Sequence, residues 1–179
     1  MSGITKEDYE MLKKMPNETL LNLLSMHIRN IWRVDGLYFQ GIEEKFGTEA
    51  ATQIDTNCWK VLGKLEAREL KNLLKIEKTD IPAFMHALRN TSWSLYQEEK
   101  ETEVSQTRGV YRVTKCRIQE TRINKELGVF PCKNVRFSYL KSLAEEFNPD
   151  IDAKCQVAPP EKRPKGVWCQ WEFTLRGKK

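Results

Sequence analysis

Five cysteines, Cys58, Cys116, Cys132, Cys155 and Cys169, carry the most specific chemistry in this 179-residue chain. Four of them fall after residue 115, spaced C-x15-C-x22-C-x13-C. A thiol can act as a small buried hydrophobe, as a soft metal ligand, or, once ionised, as a nucleophile. Four thiolates at tetrahedral corners would hold a metal such as zinc, and Cys116, Cys132, Cys155 and Cys169 are the candidate set. No C-x-x-C pair pre-forms half of such a site. Cys116 and Cys132 each precede a stretch of helical pattern, where exposed amides and the positive end of the helix dipole favour thiolate. They are therefore the candidate nucleophiles, and all three roles stay open at this point.

Other side chains could complete a site. Asp55 stands one turn before Cys58 and Trp59 and could orient a ligand or, with Glu43, move protons. Trp32, Tyr38, Trp59 and Trp171 supply the aromatic bulk that lines apolar pockets. The two histidines, His27 and His86, have no motif around them. A Gly-rich phosphate loop, a G-x-S-x-G elbow and H-E-x-x-H are absent, so those enzyme classes have no support.

The elements that must position these residues read in two halves. Thr5-x-x-Asp8 opens a short helix that ends before Pro16. Asn17 caps a second to about residue 33, with Leu20, Leu21, Leu24, Ile28 and Ile31 at three- and four-residue steps. A third covers 37–46 and closes at Gly47. The longest spans 49–74, its inner face expected to carry Ile54, Cys58, Val61, Leu62 and Leu65. Another starts at Thr79-Asp80-Ile81-Pro82. Beyond residue 90 the period shortens. Trp93, Leu95 and Gln97 suggest a strand, 97–107 a Glu-rich connection, and 110–116 a second strand. Helices at 117–127 and 134–147 precede strands at 151–157 and 167–175. A symmetric last hairpin would set Cys155 opposite Cys169 on the inward face. The expected fold is α+β: N-terminal helices packed on a four-stranded antiparallel sheet with a strand-strand-helix-helix-strand-strand core. It reads as one domain, 1–179, with a helical part to residue 90 and a sheet part after it.

Composition narrows the partners. Lys and Arg number 30 against 25 Asp and Glu. The net charge is −3 up to Ser105 (14 basic, 17 acidic) and +8 beyond it (16 basic, 8 acidic). The basic residues are scattered, so nucleic acid is not an expected partner. No apolar run has the length of a membrane span, and the polar start argues against a secretion signal. A cytoplasmic protein with reduced thiols is the expectation.

Four stretches together resemble a known group. They are Ile31-Trp32-Arg33-Val34-Asp35-Gly36-Leu37-Tyr38-Phe39, the run from Phe46-Gly47-Thr48-Glu49 to Asp55 with Trp59, Phe130-Pro131-Cys132-Lys133, and Pro159-Pro160 with Trp168-Cys169-Gln170-Trp171-Glu172-Phe173. The group is a family of small uncharacterised cytosolic proteins close to the L-2-amino-thiazoline-4-carboxylate hydrolase-like proteins. The core order is also similar to the vinyl-reductase-like small-molecule-binding domains. These resemblances imply a small-molecule-binding domain with its pocket between the N-terminal helices and a cysteine-bearing sheet. Trp32, Tyr38, Glu43, Trp59 and Trp171 would line that pocket. The alternative they imply is a thiol- or metal-dependent hydrolase of a cyclic amidine using Cys116, Cys132 and Asp55. A third reading makes the protein an interaction module, a homodimer formed through long helices.

Overall fold

The computed structural model describes residues 3–176. The chain divides into two compact units, one ending at Tyr38 and one beginning at Phe39. The division falls inside a helix rather than near residue 90, so it has no signature in composition.

The first unit opens with α1, Lys6–Lys13. Thr5 caps it by accepting the Asp8 amide at 3.1 Å and donating its hydroxyl to the Asp8 carboxylate at 2.7 Å. The second helix, α2, runs without a break over Asn17–Phe46. The sequence suggested an interruption between 33 and 37. Gly36 in fact continues the helix, at a cost of only about 1 kcal/mol relative to Ala.

The second unit takes up α2 at Phe39. Gly47, at φ 87°, ends that helix in a conformation glycine adopts without strain. Thr48–Leu73 form α3. Its buried stripe is Ala51, Asp55, Trp59, Gly63, Ala67 and Leu70. This corrects the sequence-based face: Ile54, Val61 and Leu65 are 46, 59 and 46% exposed, and Cys58 is exposed with them. The reason is close helix packing. A Cβ on Gly63 would lie 2.5 Å from the Tyr139 carbonyl oxygen and 3.2 Å from the Leu143 nitrogen. The small residues of α3 thus admit the backbone of α7, Lys133–Phe147, which bulkier aliphatics would hold off.

Between those partners come α4 (Ile81–Arg89) and α5 (Ser92–Tyr96). Asp80 accepts the Ala83 amide at 3.0 Å to start α4. The 93–97 alternation does not make a strand. Thr91 accepts the Ser94 amide at 3.2 Å and starts a five-residue helix that buries both Trp93 and Ser94. The first strand is instead β1, Glu99–Val104, where a solvated connection was expected. Its residues are mostly exposed, so no alternation marks it. Glu101 and Glu103 pair with Arg112 of the neighbouring strand at 2.6 and 3.3 Å. Charged edges of this kind discourage further strand addition.

The sheet is completed by β2 (Arg108–Lys115), β3 (Ile151–Val157) and β4 (Cys169–Leu175), in the order β1-β2-β4-β3, with every pair antiparallel. The expected α+β core is present, with α6 (Arg117–Asn124) and α7 between the two strand pairs. Tyr111, Val113, Trp171 and Phe173 point inward and are 0–1% exposed. Phe84 of α4 meets Phe147 of α7 and Phe173 of β4 at ring separations of 5.4 and 4.8 Å. Such aromatic edges and faces make α4, α7 and the sheet one hydrophobic layer.

Candidate functional site: a sulfur-lined cavity and a polar groove

Cys116 ends the β2 connection as the residue before α6, and Cys132 immediately precedes α7. Cys169 begins β4, opposite Val113 of β2. These three thiols line one small internal cavity of about 20 Å³, together with Trp93, Gln97, Gln119 and Arg136. That volume holds one water molecule and no larger ligand. The loop over it is held from α6: Gln119 donates to the Phe130 carbonyl and accepts the Phe130 amide, both at 2.9 Å. The same side-chain amide reaches the Cys132 sulfur at 3.6 Å. Arg136, 4% exposed, lies over the rings of Trp59, Trp93 and Tyr139 at 4.6, 4.9 and 5.1 Å. A guanidinium among aromatic faces keeps favourable electrostatics where water is excluded.

Cys155 stands apart. Its register partner is Trp171, not Cys169, because the last hairpin is not symmetric and a bulge follows at Cys155/Val157. The strand alternation leaves it on the inward side but half-buried, near Lys133 and Glu161. Among the described residues, no three His, Cys, Asp or Glu side chains are grouped to hold a metal ion. Of the four candidate zinc ligands, Cys116, Cys132 and Cys169 line one cavity and Cys155 lies outside it.

The thiols are also more protonated than their helix-start positions suggested. Burial pushes Cys132 up to about 12, with Cys116 adding to the effect. Burial raises Cys116 against the pull of the Gln119 and Ile118 amides, and raises Cys169 well above the usual thiol range. Cys155 is pushed up to about 11, again by burial. Desolvation outweighs the helix-end field at both sites, so these are neutral thiols and weak nucleophiles at neutral pH. Both histidines are exposed, and neither lines the cavity.

The remaining candidates are not gathered into one pocket. Trp59 (3% exposed) and Trp171 (1%) are core side chains, and Trp59 meets Tyr139 edge-on at 5.4 Å. Asp55 is buried on the inner face of α3, on the same stripe as Trp59. Glu43 is committed to Arg122 through bonds of 2.9 and 3.1 Å. In the first unit Trp32 is buried, whereas Tyr38 is 72% exposed.

A larger feature lies where α3 begins. Thr48, Glu49, Thr52, Gln53, Thr56 and Asn57 form one wall of an open groove of about 660 Å³, and Pro131, Lys133, Asn134 and Pro160 form the other. The α3 residues recur at three- and four-residue steps, which places them on one helix face. Neither α3 nor α7 has a side-chain cap, and the first amide of α7, that of Lys133, donates to the Pro159 carbonyl at 2.9 Å. Thr52 and Thr56 donate to carbonyls one turn back, at 2.7 Å each, leaving their oxygens able to accept. Lys133 is the one cation lining the groove, and Glu161 holds it at 2.5 Å. Sequence reading missed this wall because a Thr/Asn/Gln stripe on a helix resembles any solvated face.

The class defined by this architecture is an α+β domain in which helices cover one face of a short antiparallel sheet. The chain belongs to the family of unknown function DUF6125, whose family model matches residues 13–175. No curated protein and no solved structure matches it. Among the described residues, no helix is long and apolar enough to cross a membrane.

Proposed function

We propose that this protein is a cytosolic small-molecule-binding domain whose ligand occupies the groove between α3 and the start of α7. The observation that carries the reading is the groove itself: about 660 Å³, walled mainly by neutral hydrogen-bonding side chains, with one carboxylate, Glu49, and one lysine, Lys133. Ligand sites are commonly concavities of roughly 300–1,000 Å³ with a few convergent polar groups. The ligand is polar and meets both signs of charge, with an acidic group at the Lys133 ammonium, which Glu161 also pairs, and a donor group at Glu49. Hydroxyl or amide groups would face Gln53, Thr56 and Asn57. The resemblance to vinyl-reductase-like binding domains supports a binding role, with the site moved from the cysteine-bearing face to the head of α3. A cyclic-amidine hydrolase gains no support from the neutral, enclosed thiols.

Native mass spectrometry of the purified chain tests this. A retained mass of a few hundred daltons is expected, lost in the double variant Thr56→Leu/Lys133→Ala. Absence of any retained mass, together with no thermal shift across a panel of carboxylate and phosphate metabolites, would refute the proposal.

A further inference from the structure

We infer that a second copy of this chain covers the apolar seam of α2, making the protein a homodimer; the inference does not depend on the groove. Leu21, Leu24, Ile28, Ile31, Asp35 and Tyr38 follow one another at alternating steps of three and four residues. That spacing places them on a single stripe of the helix and is the repeat that lets two helices interlock. Leu21, Leu24, Ile31 and Tyr38 are 65, 52, 50 and 72% exposed, Val34 beside them is 53% exposed, and Ile28 and Asp35 on the same stripe are half-buried. Within the first unit, α1 buries none of its own residues, and Trp32 is the one buried residue among those described.

In proteins most helical stability comes from packing an amphipathic face rather than from intrinsic propensity. At about 100 Å² for each half-exposed large side chain, the seam presents on the order of 500 Å² of apolar surface per copy. An interface burying about 800 Å² per partner has an apolar centre of that size. Charge placement favours an identical partner. Arg29 and Arg33 lie off the stripe, and Asp35 is the one ionisable carboxylate on it. An antiparallel two-fold pairing centred near Ile28 keeps the two Asp35 carboxylates at opposite ends, so two copies meet without facing like charges.

Sedimentation equilibrium of the full chain should give twice the 21.0 kDa chain mass at micromolar concentration. Leu24→Glu/Ile31→Glu should sediment as a monomer with the near-ultraviolet signal of the Trp59, Trp93 and Trp171 core intact. Leu73→Glu, a still more exposed apolar position on α3, should remain dimeric. Should the double variant fail to fold, cysteine cross-linking in a Cys58→Ser background decides. Ile28→Cys should form a disulfide-linked dimer under mild copper-phenanthroline oxidation, and Arg33→Cys should not. A wild-type chain that is monomeric at 100 μM overturns the inference, whether or not it binds vesicles or another protein. Equal cross-linking at positions 28 and 33 overturns it as well.

Discussion

Arg122 and Glu43, separated by 79 positions in the chain, form a two-pronged ion pair with bonds of 2.9 and 3.1 Å, the two side chains being 9 and 17% exposed. Arg122 also donates to the Leu127 carbonyl at 3.0 Å and stacks over Phe39 and Phe130. The end of α2 in the second unit is thereby tied to the loop that covers the sulfur-lined cavity.

Glu43→Gln should cost about 3 kcal/mol at pH 7, because the nearly buried guanidinium loses its counter-charge. Burial alone would raise the Glu43 carboxyl, but the Arg122 and Thr48 hydrogen bonds outweigh it and hold it below the usual value. A depressed carboxyl contributes stability above its unfolded value of about 4.3, and that contribution is lost as pH falls through the folded value. Denaturant titrations at pH 7 and below pH 4 check this. The gap between wild type and variant should close on the acid side.

Gly63→Ala should destabilise the second unit by about 2 kcal/mol, since its methyl group would meet backbone atoms of α7 as well as the Ser142 hydroxyl. For a chain of this size that is a fall in melting temperature of roughly 4–8 °C. Calorimetry of the two proteins is the measurement, and an unchanged midpoint would contradict the packing described for α3 and α7.

Thiol titration should find Cys58 first. It is the exposed thiol, whereas Cys116 and Cys169 are buried and Cys132 and Cys155 are partly covered. A disulfide reagent at pH 8 should label one group rapidly and the other four only slowly, with all five reacting in denaturant; Cys58→Ser should remove the fast phase. The protonated thiols also set an alkaline limit. Their stabilising contribution is complete below the unfolded thiol value of about 8.5 and declines as pH rises from there towards the folded value of about 12 for Cys132. Replacing Cys132 by Ala should therefore flatten the loss of stability between pH 9 and 11.

Gln119→Ala removes both bonds to Phe130 and leaves its buried amide and carbonyl without those partners. A loss of about 2 kcal/mol is expected. The loop should then open locally, so labelling of Cys132 should accelerate by more than that of Cys169. Equal acceleration at both would mean global unfolding instead.

Much of the architecture was legible along the chain. The caps at Thr5 and Asp80, the turn at Gly47 and the alternation at 151–157 and 169–175 are local signals, and each element they specify is present. β1 escaped because its half-buried positions, Lys100 and Thr102, are polar, so no apolar alternation marks this edge strand. The 93–97 segment misled because two or three alternating apolar residues fit a single helical turn as well as a short strand, and the Thr91 cap decided between them. Thiolate character at Cys116 and Cys132 was a fair expectation from their helix starts, but the field of a helix end is weak beside the cost of burying charge.

By itself the sequence determined element order, fold class and the clustering of sulfur in the last third, because those follow from near-neighbour chemistry and period. Tertiary structure alone decided which of two stripes on α3 turns inward, since that choice rests on how closely the α7 backbone can approach. It also separated Cys155 from the other three thiols through a strand register that no pattern in the hairpin encodes. The groove at the head of α3 exists for the same reason: its two walls lie some eighty residues apart in the chain and become neighbours only when α3 and α7 pack.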